Sequence, residues 1–132
     1  MRNPRVRLKV VPKKNPQDME APSKYYVQAV RSASVDLEWL ARAISNQSTV
    51  REPDCLAVLS AFVHNMIEEL NRGSIVRLGS LGSFQVSVHS MASDKADQVT
   101  LANVLRTSLN FRPSSRLKDA LGSIKFTLSD EV

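Results

Sequence analysis

The spacing of apolar residues changes rhythm twice along this chain. At the start Val6, Leu8 and Val10 alternate with Arg7 and Lys9, the period of two that marks a half-buried strand with a basic outer face. Pro12 and Pro16 bracket a basic turn, Pro22 closes the polar stretch from Asn15 to Ser23, and Tyr25–Val30 reads as a second short strand. An unstructured basic tail over residues 1–23 is the competing reading, because termini without anchoring contacts stay disordered.

The period then lengthens to that of a helix. From about Asp36 to Ser45, Leu37, Leu40, Ala41 and Ile44 fall at i, i+3, i+4 and i+7, which predicts one buried stripe with Ser34 or Asp36 as N-cap. A second helix is expected from near Arg51 to Gly73. Pro53 is tolerated in its first turn, Glu52 and Asp54 suit its positive end, and Gly73 is a natural residue to follow its last turn. Along it Cys55, Leu56, Leu59, Phe62, Val63, Met66, Ile67 and Leu70 share an arc of ~140° at about 100° per residue. Such an arc is wider than a two-helix contact needs, and it points to a further neighbour such as a second subunit.

Beyond Gly73 the rhythm is mostly β. Ile75–Leu78 reads as a short strand, and Gly79-Ser80-Leu81-Gly82 as a tight turn. Phe84, Val86 and Val88 alternate with Gln85, Ser87 and His89. Residues 90–100 are polar and weakly patterned. Val104–Phe111 returns as a strand that Pro113 stops, Ser114 or Ser115 caps a short helix to Leu121 ended by Gly122, and Ile124–Leu128 is a final strand.

Composition narrows the classes. With 132 residues, 42% hydrophobic and 23% charged, the chain is of single-domain size and not wholly disordered. Four glycines and six prolines leave little room for a glycine-rich phosphate loop or a long flexible linker. One cysteine excludes an internal disulfide, a Cys-based zinc finger and an iron–sulfur cluster. No apolar run approaches the roughly 20 residues of a membrane span, and the N-terminus lacks the apolar segment of a signal peptide. The expectation is a cytoplasmic protein without a membrane partner.

Charge adds a positive clue. The net value of +5 hides a pattern: residues 1–31 carry eight bases and two acids, residues 32–71 two bases and six acids, and residues 72–132 eight bases and five acids. Basic ends around an acidic middle suit a polyanion met by particular surfaces. Catalytic chemistry is scarce by contrast. Cys55 and His64 are nine positions apart on one helix, about 180° round its axis, so they form no local dyad. Cys55 lies on the apolar face, His64 opposite it, and His89 on the polar side of a strand. Glu68 and Glu69 point to different sides. No enzyme activity, cofactor, metal or small-molecule substrate is expected.

The order of elements then becomes informative. Two helices, a hairpin on Ile75–Phe84, a long β-excursion, and Phe111-Arg112-Pro113 leading into a short helix resemble the HU and integration-host-factor (IHF) family of bacterial DNA-binding proteins. Leu56–Phe62 followed by Leu70-Asn71-Arg72-Gly73 is similar to that family's second helix and its end. Gly79 to Phe84 resembles its G-F-G-T-F turn, and Phe111–Lys118 its F-K-P-G-K-x-L-K segment. The resemblance covers Val35–Leu121, about two-thirds of the chain. The added terminal strands, with Tyr25-Tyr26-Val27-Gln28 similar to a K-Y-Y-A-Q stretch, look most like a Bacteroidetes branch.

The resemblance implies an α+β, IHF-like DNA-binding fold: two N-terminal helices, an antiparallel β-saddle and a short C-terminal helix, in an intertwined homodimer. It divides the chain into a basic extension (1–34), an HU/IHF-like domain (35–122), and a C-terminal strand and tail (123–132). By the same comparison DNA phosphates meet the backbone around Ser80, Leu81, Gly82 and Ser83, and also Arg112, Lys118 and the start of the last helix, with Arg77, Lys95, Arg106 and Arg116 on the same surface. A turn rich in amides, a helix N-terminus and arginine are sound anion binders in their own right. Arg5, Arg7, Lys9, Lys13 and Lys14 form a further basic flank.

The chain departs from the family at its arm. Family members that bend DNA carry basic arms whose tip proline wedges between base pairs. Here Ser83–Arg112 holds no proline and no glycine, and from Ser87 to Arg106 the bases Lys95 and Arg106 are balanced by Asp94 and Asp97. The expected function is non-catalytic, largely sequence-independent binding of double-stranded DNA by a nucleoid-associated, histone-like homodimer. The alternative is a protein-interaction or structural dimer module of the same fold with weakened or lost DNA binding.

Overall fold

The computed structural model describes residues 5–129; Arg2, Asp130 and Glu131 therefore lie outside the described residues. Contacts divide the chain into two units, one made of residues up to Val35 and from Ala120 onward, the other of Asp36–Asp119.

In the first unit, β1 (Arg5–Lys13) is flanked by β2 (Lys24–Ala29) and β6 (Lys125–Leu128). β1 and β2 run antiparallel with Val10 opposite Val27 and Lys13 opposite Lys24. β1 and β6 run parallel from Arg5 beside Lys125 to Leu8 beside Leu128. The strand reading of Val6–Val10 holds, and the tail reading fails over β1. Pro12 does not open a turn; it lies inside β1. It is tolerated there because β6 accompanies only residues 5–8, so at Pro12 the strand has a neighbour on one side and no ladder bond is lost on the other. Since paired residues share a face, the register sorts this sheet cleanly. Val6, Leu8, Val10, Pro12, Tyr25, Val27, Ala29, Phe126 and Leu128 lie on one side, apolar throughout.

The second unit begins with α1 (Leu37–Asn46), where Asp36 Oδ1 accepts from the Trp39 amide at 2.9 Å as N-cap. α2 (Glu52–Asn71) packs against α1. It ends in a Schellman motif: the Ser74 amide donates to the Glu69 carbonyl at 3.0 Å and the Gly73 amide to that of Leu70 at 3.1 Å. The stripe of α1, expected to be buried, is only partly covered, and the wide arc of α2, expected to meet a further neighbour, is partly open within the chain. Among the described residues only Ala41 and Cys55 are buried apolar side chains, while Leu40, Ile44, Phe62, Val63 and Ile67 remain exposed, Ile67 by 55%. The periodicity is that of a buried face, but the chain by itself does not cover it.

The second sheet has the order β3 (Val76–Arg77), β4 (Gly82–Ser90), β5 (Val104–Pro113), all antiparallel. β3 is two residues long, shorter than the expected Ile75–Leu78. One face carries Val76, Phe84, Val86, Val88, Leu109 and Phe111, with the Phe84 and Phe111 rings stacked at 4.7 Å. Between Ser90 and Val104 the weakly patterned segment forms two single 3-10 turns, Ala96–Gln98 and Leu101–Asn103. Asn103 ties them down, accepting from the Thr100 amide at 2.9 Å and donating to Ser93 Oγ at 2.9 Å. α3 (Ser115–Gly122) follows β5 across the boundary between the units. No helix among the described residues is long and apolar enough to cross a membrane.

Two globules of these sizes, even counted separately, would expose roughly 8,000 Å² together. This chain exposes 11539 Å².

Candidate nucleic-acid interface

The base of the β4–β5 hairpin is fixed by its turn. The Leu81 amide donates to the Leu78 carbonyl at 3.0 Å and the Leu78 amide to the Gly82 carbonyl at 2.8 Å. Gly79 and Gly82 take φ of 55° and 143°, both in the region that favours glycine. At Gly82 space is limiting too: a Cβ would stand 2.3 Å from the Arg112 carbonyl oxygen and 2.8 Å from the Phe111 ring. Gly82 therefore sets how closely β5 can approach the turn.

That approach brings the start of α3 to the turn. Ser114 caps α3, its Oγ accepting from the Leu117 amide at 3.1 Å, while the same hydroxyl donates to the Ser80 carbonyl. The Ser114 amide donates to the Leu81 carbonyl at 3.2 Å, and Arg116 Nη1 donates to Ser80 Oγ at 3.3 Å. Of the two expected caps, Ser114 or Ser115, the structure selects Ser114; its second role has no local signal in the sequence, because its partner lies 34 positions away.

On the polar face of the sheet, Arg77, Ser83 and Arg112 occupy one cross-strand row, about 10 Å from end to end across three strands. Below it run Gln85 with Asn110, Ser87 with Ser108, and His89 with Arg106. Two diagonal contacts link these rows: Asn110 Nδ2 donates to Ser87 Oγ at 2.9 Å, and His89 Nε2 lies 3.0 Å from Ser108 Oγ. Arg106 is thus on the face of Arg112 but some 20 Å along the strand, and Lys95 lies in the arm segment beyond the last ladder pair, Ser90 with Val104.

The expected residues therefore separate into groups. Arg77, Ser80, Leu81, Gly82, Ser83, Arg112 and Arg116 meet around the turn. Lys118 is two positions from Arg116 on α3, hence about 160° round the axis from it. Lys95 and Arg106 belong to the arm. Among the described residues the ion pairs are Arg42–Glu52 and Arg72–Glu69, and His64 Nε2 lies 3.1 Å from Glu68; none of these contacts engages a base of either sheet or of α3. Around the turn two guanidinium groups and the Ser83 hydroxyl stand in one row without a carboxylate, and α3 begins beside the turn, tied to it through Ser114 and Arg116. Such a set can hold phosphate oxygens. It has no nucleophile beside a base. Cys55 is buried and His64 lies against Glu68, and among the described residues no three or more His, Cys, Asp or Glu cluster to hold a metal ion.

Comparison with known proteins bears on the whole arrangement. A crystal structure from Bacteroides vulgatus ATCC 8482, provisionally described as a bacterial DNA binding protein, matches with a TM-score of 0.66 at 14% identity, covering 96% of this chain and 49% of that one. The likeness is one of fold, and the chain spans about half the length of the structure it matches. No curated protein matches it. The resemblance to HU, Bacteroidetes-type, read from Gly79–Phe84 and Phe111–Lys118 thus agrees with a mixed α+β structure, with three α-helices and two small sheets among the described residues. A family model described as an HU domain fused to a wHTH, Ig or glycine-rich motif matches residues 5–128, and the chain belongs to this HU-HIG family.

Proposed function

We propose that this chain is a non-catalytic, largely sequence-independent DNA-binding homodimer of the bacterial nucleoid that grips phosphates through its second sheet. The observation that carries this reading is the row Arg77–Ser83–Arg112, held against the first turn of α3 by Ser114. Its donors are two guanidinium groups and a hydroxyl, all of which can hydrogen-bond phosphate oxygens, contacts that fix a protein on the duplex without carrying sequence information. Lys118, on α3, adds a charge to the same neighbourhood of the chain. Dimerisation is supported by the surplus of roughly 3,000 Å² of exposed surface over two separate globules, and by the uncovered apolar arc of α2. A second subunit accounts for both, and sedimentation equilibrium at micromolar concentration is expected to give twice the chain mass.

The neutral arm favours a second reading, a dimeric interaction module without DNA. One experiment separates them. Arg112→Ala combined with Lys118→Ala is expected to weaken binding to unrelated duplex sequences to a similar degree, as loss of phosphate contacts does. Unchanged affinity, or an effect confined to one sequence, would overturn the phosphate-grip reading.

A further inference from the structure

The first sheet holds a charge arrangement that the saddle does not explain. The face opposite its apolar side carries Arg5, Arg7, Lys9 and Lys13 from β1, Lys24 from β2 and Lys125 from β6. The remaining positions on that face, Val11, Tyr26, Gln28 and Thr127, bring no carboxylate. Lys24 and Lys125 escape a reading of the N-terminal flank alone. They join it because β2 folds back on β1 and because β6 pairs with it from the far end of the chain, whereas Lys14 lies just beyond the strand.

Cross-strand neighbours make the arrangement costly in the free protein. Lys13 stands opposite Lys24, and Arg5 beside Lys125. Like charges at such positions destabilise a sheet, and a merely solvated face is better served by interspersed acids. None of the six bases is in an ion pair among the described residues; Lys13 instead lies over the Tyr26 ring, its Nζ 5.3 Å from the centroid. From Arg5 to Lys13 the strip is some 27 Å long, comparable to about eight base pairs of duplex at 3.4 Å each.

We infer that this basic face is a second binding surface for duplex DNA, contacting its phosphates independently of the row at the hairpin turn. The occupant named here rests on the function proposed above. An anionic membrane is the weaker fit, because interfacial docking needs apolar side chains beside the cations, and here the large aliphatic and aromatic residues other than Val11 and Tyr26 lie on the opposite face.

The test compares two variants of the full chain on a random-sequence duplex across a salt series. Arg7→Gln, Lys9→Gln and Lys24→Gln together are expected to flatten the slope of log K against log salt by about 2 to 3 for each subunit whose basic face lies on the duplex, at roughly 0.9 per lost phosphate contact. An unchanged slope overturns the inference. Arg77→Ala with Arg112→Ala probes the saddle separately: if it alone changes the slope, the second surface is refuted and the saddle stands. If only the triple variant changes the slope, the saddle reading fails and the second surface stands. Lysine acylation of the unsubstituted chain gives a readout free of folding effects, with protection of Lys9, Lys24 and Lys125 by duplex expected. Reactivity unaltered by duplex, or protection only by phosphatidylserine vesicles, contradicts the assignment to DNA.

Discussion

The two sheets have the same number of strands and opposite charge economies. In the β2-β1-β6 sheet the bases gather on one face without acids, whereas in the β3-β4-β5 sheet they thin out from Arg77 and Arg112 at the turn to a balanced arm. There Lys95 and Arg106 are offset by Asp94 and Asp97. Net charge does not separate these situations; register does. Alternation turns a modestly basic strand into a continuous cationic strip when its neighbours point their lysines the same way, and the β4–β5 ladder spends its polar face on cross-strand hydrogen bonds instead. The sheet that resembles the family's binding saddle is therefore the more sparsely charged of the two.

Breaking the hairpin base should give the largest effect. Gly82→Ala combines a positive φ with a Cβ placed 2.3 Å from a backbone oxygen, so a loss of about 3 kcal/mol or more is expected from backbone strain and overpacking together. Gly79→Ala is the control, since its φ of 55° is accompanied by open space and the left-handed conformation alone costs about 1–2 kcal/mol. Denaturant unfolding of both variants measures the difference; equal losses would mean that β5 does not press on the turn as described.

A smaller effect should follow at Ser114. Removing its hydroxyl takes away the α3 cap and the link to Ser80, so Ser114→Ala should cost about 1 kcal/mol. It should also lower DNA affinity through the loosened Arg116–Ser80 contact, leaving the contribution of the other sheet intact. Stability lost without any change in affinity would detach α3 from the binding surface.

The smallest expected effect is on DNA shape. Kinking needs an apolar wedge together with flanking charges that grip the phosphates drawn in by the bend. Leu101 is 90% exposed on a turn made firm by Thr100 and Asn103, but the surrounding arm carries no net charge to hold bent DNA. Energy transfer between the ends of a labelled duplex should change little on saturation, and Leu101→Ala should leave it unaltered. A large bend that this substitution abolishes would show that the tip acts as a wedge despite its neutral setting.

Much of this architecture was legible in the chain because its signals are local. Asp36, Gly73, Ser114 and the Gly79–Gly82 turn each satisfy or release backbone groups within a few residues, so helix ends and the hairpin fall close to where the pattern puts them. What escaped is non-local. The parallel pairing of β1 with β6 joins segments more than a hundred positions apart, and nothing in Lys125–Leu128 names its partner. Pro12 misled because its cost depends on whether a strand has one neighbour or two. The stripe of α1 was read as buried and is only partly covered, since a period reports a face to be buried and not the chain that buries it; the wider arc of α2 was read as facing a further neighbour, and within the single chain it stays partly open. At the interface the arginines could be named from the motif, but their grouping into turn, arm and α3 could not.

The most direct measurement is the salt dependence of binding by the unaltered chain to several duplexes of unrelated sequence. Phosphate recognition requires log K to fall linearly and steeply with log salt, by about 0.9 for each contacted phosphate, with superimposable lines for all sequences. A slope near zero, or lines that separate by sequence, would contradict a phosphate-gripping, sequence-tolerant DNA-binding protein.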